Sequence, residues 1–279
     1  MAKVAYRLAL NGARLCPEKH PLTGLLFHHL AEYEPADRRL MIARYGLDRG
    51  PGVLGIVPGS PAAMAGLVAG DVLLSVDGEP FEAPTRIAAK RDPRTWRPLA
   101  EADEAKLDSR LRRGPAALLI LRAGAEHRIA LDSLPACLGR VRLARSSQTN
   151  AFATGRSVVV TTAMLAFLRS DDELAVVLGH ELAHNILRHP VPGERSRLAG
   201  GGLKKSRLWR REEQADRLGL RLMAAAGYDL QAAIPFWRRY LGKYERLPKI
   251  FRSHPGLEAR ERIVREEMAA IAREAQLRR

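Results

Sequence analysis

Apolar positions along the 279 residues follow two periods, and the change from one to the other divides the chain. Near the N-terminus Val4, Leu8 and Leu15 recur at roughly helical spacing over residues 4–15. Residues 22–33 and 37–45 read as further short helices, with Pro21 and Pro35 as punctuation. From Gly46 the chain becomes glycine-rich, and the β-prone Val53, Leu54, Ile56 and Val57 predict a strand. A short helix follows at Ser60 and Pro61, where the serine can cap and the proline suits the first turn. The next strand ends in Asp77 and Gly78, a strong tight-turn pair. Residues 84–100 are rich in proline and charge and read as loop, and 101–113 read as helix. Two strands, 116–122 and 126–131, flank a turn at 123–125. After a boundary at 135–139, strands near 141–144 and 158–161 give way to helices. Ser170 and Glu173 form a capping box ahead of a helix over 171–188. Residues 190–207 read as a loop, and further helices fall at about 208–226, 230–245 and 257–276.

Composition narrows the class. Hydrophobic residues make up 46%, enough for packed cores, yet no apolar run approaches the ~18 residues of a membrane-spanning helix. The formal charge is +15, carried mostly by arginine, with eight lysines among the 46 basic residues. The charge is scattered and comes with no nucleic-acid-binding signature, so it leaves peripheral contact with an anionic membrane surface as the partner to consider. Cys16 and Cys137 lie too far apart for a compact metal knuckle and are either paired or buried thiols. The first ten residues are too short and polar for an intact signal peptide, so the chain is either cytoplasmic or follows a removed signal.

The chemistry concentrates at His180-Glu181-Leu182-Ala183-His184. Residues four apart share a helix face, so both imidazoles can hold one zinc ion, with Glu181 beside them to activate the attacking water. A catalytic zinc takes three protein ligands and keeps one position open. Glu212 and Asp216, four apart on a second helix, supply a third ligand and a carboxylate that can orient a ligand histidine. Glu213 competes for the ligand role from about 100° round that helix. His189, five residues beyond His184, has poor spacing for a ligand and reads as a histidine favoured by the helix C-terminus.

Glu212-x-x-Ala215-Asp216 after the His-Glu-x-x-His motif, followed by Gly227-Tyr228-Asp229, resembles the gluzincin metallopeptidases related to HtpX, the CAAX prenyl endopeptidases and BepA. The resemblance covers about residues 140–270. It implies one zinc per chain on His180, His184 and Glu212, with Asp216 and Arg260 supporting the ligands. It also implies a substrate-binding strand at Asn150, Ala151, Phe152 and Ala153. His254, in a Ser-His-Pro element, is implied near the cleft, where it would steady an oxyanion or gate the site. By the same analogy the protein belongs in the periplasm or cell envelope, with a Cys16–Cys137 disulfide expected there.

Residues 46–133 resemble a PDZ domain through Val53, Ile56 and Val57, then Gly59-Ser60-Pro61-Ala62-Ala63, Ala65-Gly66-Leu67, Gly70-Asp71-Val72 and Asp77-Gly78. PDZ domains take peptide C-termini by strand addition. Tyr45, Gly46 and Leu47 are the candidate carboxylate loop. The expected architecture is α+β: an N-terminal helical segment (1–45), a small mixed-β PDZ domain (46–134) and a mainly helical zincin-type domain with a small sheet (140–279). The leading functional expectation is a zinc endopeptidase of envelope protein quality control acting on protein substrates. The alternative is a PDZ-bearing adaptor or chaperone-like protein whose zinc site is structural or latent, for example covered by the loop 190–207.

Overall fold

A computed structural model describes residues 1–83, 93–189, 205–243 and 256–277. The fold is α+β, and the chain divides into two compact units. Lys3–Lys19 joins Ala136–Arg279 in a helical unit, and His20–Pro135 forms a β unit. The first helix, α1 (Ala2–Asn11), buries Val4, Ala5, Leu8 and Ala9 on one face.

The β unit carries β1 (His20–Leu22), β2 (Leu25–His28), α2 (Pro35–Tyr45), β3 (Gly52–Ile56), α3 (Pro61–Met64), β4 (Val72–Val76), β5 (Glu79–Pro80), α4 (Pro93–Leu111), β6 (Ala116–Arg122) and β7 (Ala125–Leu131). A last short strand, β8 (Leu134–Ala136), ends it. Its main sheet runs β2-β3-β4-β6-β7, with β5 paired to β4. The turns expected from the sequence form. Asp77 and Gly78, and Ala123 and Gly124, all take positive φ, as tight hairpin turns require. The Ser60 hydroxyl accepts from the Ala63 N–H and caps α3. Val53, Leu73, Val76, Leu107, Leu118 and Ile120 share one core.

Two expectations fail here. Residues 22–33 do not form one helix: Leu25–His28 is the strand β2, antiparallel to β3 in the register Leu25 to Ile56 and His28 to Gly52, and only Leu30–Glu32 makes a short 3-10 turn. Four consecutive apolar or aromatic-type positions carry no period, and burial against a sheet decides for strand. The β unit therefore starts near His20 rather than Gly46, and residues 3–19 belong with the helical unit. Likewise 93–100 is helix, the first part of α4, although Pro98 lies inside it. Ala100, Leu107 and Leu111 bury one face of α4, and that packing outweighs the backbone hydrogen bond the proline removes.

Two titratable groups of the β unit, His28 and Asp103, are shifted strongly by desolvation. The His28 Nδ1 is 2.6 Å from the Tyr33 hydroxyl, and burial, with the neighbouring His29, pulls this imidazole down to about 4. Asp103 on α4 is pushed up to about 7, mainly by burial.

The helical unit adds β9 (Val141–Ala144), β10 (Ala151–Ala153), β11 (Val158–Thr161), α5 (Thr162–Phe167), α6 (Asp171–Ile186), α7 (Lys205–Ala225), α8 (Ala233–Gly242) and α9 (Leu257–Leu277). The small sheet runs β10-β11-β9, so β10 is an edge strand. Its register with β11 is antiparallel, Ala151 to Val160 and Ala153 to Val158. α6 is buried almost all round, which explains its weak amphipathic pattern. α9 is laced to α7 by ion pairs, Arg217 to Glu266 and Glu267, and Arg221 to Glu267 and Glu274. A disulfide joins Cys16 to Cys137, with Cα atoms 5.6 Å apart.

Candidate metal centre

α6 and α7 cross at Gly179 and Gly219. A Cβ on Gly219 would lie 2.9 Å from the Gly179 carbonyl carbon and from the His180 nitrogen. With no side chain to hold the helices apart, the carboxylates of α7 reach the histidines of α6. The His180 and His184 Nε2 atoms are 3.1 Å apart. Glu212 offers one oxygen 3.4 Å from His180 Nε2 and the other 3.6 Å from His184 Nε2. All three residues are buried.

These spacings fit a zinc ion. Ligand atoms about 2.0–2.1 Å from a tetrahedral centre stand about 3.3 Å from each other, and two nitrogens with one carboxylate form a donor set zinc prefers. The competing Glu213 is partly exposed and is occupied by Arg217 at 2.9 Å on the same helix.

The surrounding groups fix the histidines. His180 Nδ1 donates to Asp216 at 2.8 Å, which turns its Nε2 towards the centre, where it would hold a metal once its hydrogen is displaced. Burial pulls the His180 imidazole down, but the hydrogen bond and charge of Asp216, with Glu212, override it and push the metal-free group up to about 10. Arg260 is 1% exposed and balances both carboxylates: its Nη2 is 3.3 Å from Glu212 and its Nε 3.0 Å from Asp216. The guanidinium stacks over the Trp237 ring at 3.9 Å, and Trp237 also meets the His180 ring edge-on. His184 Nδ1 lies 2.9 Å from His189 Nδ1.

Beside the centre is a cavity whose walls include Asn150, Ala151, Glu181, Phe236, Trp237 and Tyr240. Glu181 is half-buried at its rim. Asn185 anchors the edge strand to the same helix. Its Nδ2 donates to the Ser157 carbonyl at 3.1 Å, and its Oδ1 accepts from the Gly155 N–H at 2.7 Å. The β10–β11 hairpin is thereby tied to the helix that carries Glu181.

With this geometry in place, comparison with known proteins decides the family. Residues 133–195 and 197–268 match the model of peptidase family M48. Residues 133–268 form an M48 peptidase domain. Residues 52–90 match the PDZ domain model, so a PDZ domain precedes the M48 domain in the chain. The chain is 32% identical over 147 residues to the mitochondrial metalloendopeptidase OMA1 of Arabidopsis thaliana, an alignment that covers 43% of this chain and 30% of that protein. Two solved structures align at 18% identity and 42% of this chain: the HtrA3 PDZ domain bound to a phage-derived ligand (FGRWV), with 89% of it covered and a TM-score of 0.30, and the HtrA-type protease AlgW with decapeptide, with 30% covered and a TM-score of 0.28.

Within the M48 domain the structure brings together His180, His184, Glu212, Asp216 and Arg260, and places Asn150 and Ala151 on the cavity that Glu181 borders. Phe152 and Ala153 continue the edge strand. His254 lies outside the described residues, as does most of the loop 190–207. Tyr45, Gly46 and Leu47 do not form a carboxylate loop. Gly46, at φ 67°, ends α2 with its N–H bonded to the Ile42 carbonyl, Leu47 is fully buried, and the Tyr45 ring packs edge-on against His28. A Tyr-Gly pair serves a helix C-cap as readily as an anion loop. Sequence reasoning also missed Trp237, Asn185 and the two glycines. Phe236, Trp237 and Tyr240 fall on adjoining positions of one short helix, which was the available signal.

Proposed function

We propose that this chain is a zinc endopeptidase cutting protein substrates in extended form. One observation carries the reading: three buried ligand atoms at zinc-ligand spacing, beside a glutamate that borders a cavity. Zinc held there supplies a Lewis acid at the scissile carbonyl and makes the attacking water more acidic. Glu181 accepts that water's proton and returns it to the leaving amine. Substrate backbone pairs along the open edge of β10, and a side chain near the scissile bond enters the cavity between Phe236, Trp237 and Tyr240. Arg260, paired with both Glu212 and Asp216, holds their carboxylates in place. In the PDZ domain the open edge of β2, with Gly24 before it at φ 78°, supports a role in taking up peptide termini.

An envelope role in protein quality control fits the Cys16–Cys137 pairing, since structural disulfides persist in oxidising compartments. Two reactive thiols on the unreduced protein would remove that support. His254 is proposed to act near the cleft as an oxyanion partner. The decisive experiment is metal content of the purified chain beside His180→Ala and Glu212→Gln. About one zinc per chain, lost in both variants, supports the enzyme. A zinc-free wild type that cannot be reloaded turns the reading towards a PDZ-bearing adaptor.

A further inference from the structure

The end of α6 brings a third imidazole against His184 by a route helical periodicity does not offer. At 100° per residue, position 189 of a continuing helix would point well away from His184. The helix does not continue. Arg188 takes φ 51°, its N–H donates to the Asn185 carbonyl at 3.1 Å, and the His189 N–H donates to the His184 carbonyl at 2.9 Å. This pair of bonds is a Schellman ending, with arginine in the left-handed position where glycine is usual. The reversal returns the His189 ring to 5.0 Å from the His184 ring, with the two Nδ1 atoms 2.9 Å apart.

One proton lies between those two nitrogens, and its owner decides whether His184 can hold a metal. Gln214 on α7 supplies the asymmetry: with its side-chain amide oriented as it is here, Oε1 is 3.2 Å from His189 Nε2. An amide oxygen only accepts, so His189 Nε2 carries the hydrogen and the neutral ring presents a lone pair at Nδ1. His184 is then the donor at Nδ1, and its Nε2 lone pair faces the centre beside the Nε2 of His180. The reverse arrangement would put a hydrogen on His184 Nε2, pointing at His180 Nε2 3.1 Å away.

We infer that His189, held by Gln214, is a positioning residue that fixes the ring orientation and tautomer of His184, as Asp216 does for His180. The inference rests on the reading of His184 as a zinc ligand. It makes the site asymmetric: one ligand imidazole leans on a carboxylate, the other on a neutral histidine and amide.

The test is zinc affinity of the full chain by competition with a chromophoric chelator, together with nitrogen NMR of histidine-labelled, zinc-loaded protein. His189→Leu should weaken zinc about 10- to 100-fold, the usual cost of losing such a support. His189→Gln, whose amide oxygen can accept the same proton, should recover most of that loss. The NMR should place the His184 hydrogen on Nδ1. Gln214→Leu, at an exposed position that tolerates change, should weaken zinc several-fold and covers the case in which His189→Leu does not fold. Unchanged affinity in His189→Leu or Gln214→Leu, or a His184 hydrogen on Nε2, overturns the inference. A wild type that binds zinc no better than His180→Ala overturns the metal site itself, and the inference with it.

Discussion

Gly179 and Gly219 meet backbone to backbone, and no other residue type fits at either position: a Cβ on Gly179 would lie 2.9 Å from the Gly219 carbonyl oxygen. The contact sets how closely α7 approaches the metal-ligand face of α6. Gly219→Ala should force the helices apart, lowering stability by about 1–3 kcal/mol, in the range of overpacked cores. Because Glu212 and Asp216 ride on the displaced helix, zinc affinity should fall with it. Denaturant unfolding and chelator competition check both, and a variant that keeps wild-type affinity would show that the spacing is set elsewhere.

Glu181→Gln separates the ligand set from the chemistry. The variant should bind zinc as the wild type does, since Glu181 is not one of the three clustered ligand residues. Peptide hydrolysis should fall by a factor of about 100 to 10,000, the range for loss of a general base. Metal content and turnover on an unfolded protein substrate are the measurements. Undiminished turnover would exclude Glu181 as the base.

Arg260 is the buried counter-charge to Glu212 and Asp216. Arg260→Met leaves both carboxylates without it, and removal of one partner from a buried pair costs about 3–5 kcal/mol. The loss should be largest in zinc-free protein and smaller once zinc restores positive charge beside Glu212. Unfolding with and without zinc reads the difference, and equal losses would mean that Arg260 acts through packing on Trp237 alone.

Acid should act on the PDZ domain through two opposing groups. His28 is held near 4, below its ordinary 6.5, so its contribution is full above 6.5 and is lost as pH falls towards 4. Asp103 is held near 7, above its ordinary 3.8, so its contribution is full below 3.8 and is lost as pH rises towards 7. Between about 4 and 6.5 the two slopes cancel. Asp103→Asn removes one of them, and the slope of stability against pH should steepen by up to about 1.4 kcal/mol per pH unit, with acid destabilising. Unfolding at pH 4.5 and 6.5 measures it, and parallel slopes in variant and wild type would refute it.

The clustering of His180, His184 and Glu212 is legible because its information is local. His180 and His184 are one helical turn apart, and Glu212 and Asp216 repeat that interval, so periodicity gives the two faces and the resemblance to the metallopeptidases implies that they converge. Helix spacing leaves Glu212 and Glu213 open, the resemblance implies Glu212, and burial separates the two in the same sense. The misreadings were tertiary. Leu25–His28 carries no period, and only pairing with β3 makes it a strand. Residues 93–100 looked like loop because proline and charge hide a face that Leu107 and Leu111 extend into the core. His189 was set aside on spacing, and a left-handed Arg188 defeats the spacing argument. Tyr45, Gly46 and Leu47 resemble a Gly-rich carboxylate loop in sequence, and the hydrogen bond from Gly46 to Ile42 gives them a capping role.

The cross-link between Cys16 and Cys137 also fixes the topology of the molecule. Both cysteines belong to the helical unit, and everything from His20 to Pro135 is strung between them. The PDZ domain is thus an insertion that leaves and re-enters its host at one stapled point. A protease nick anywhere inside the insertion opens the chain without parting the pieces, and only reduction releases them. With the two Cα atoms 5.6 Å apart, a linker of a few residues could replace the whole insertion and leave the host covalently continuous.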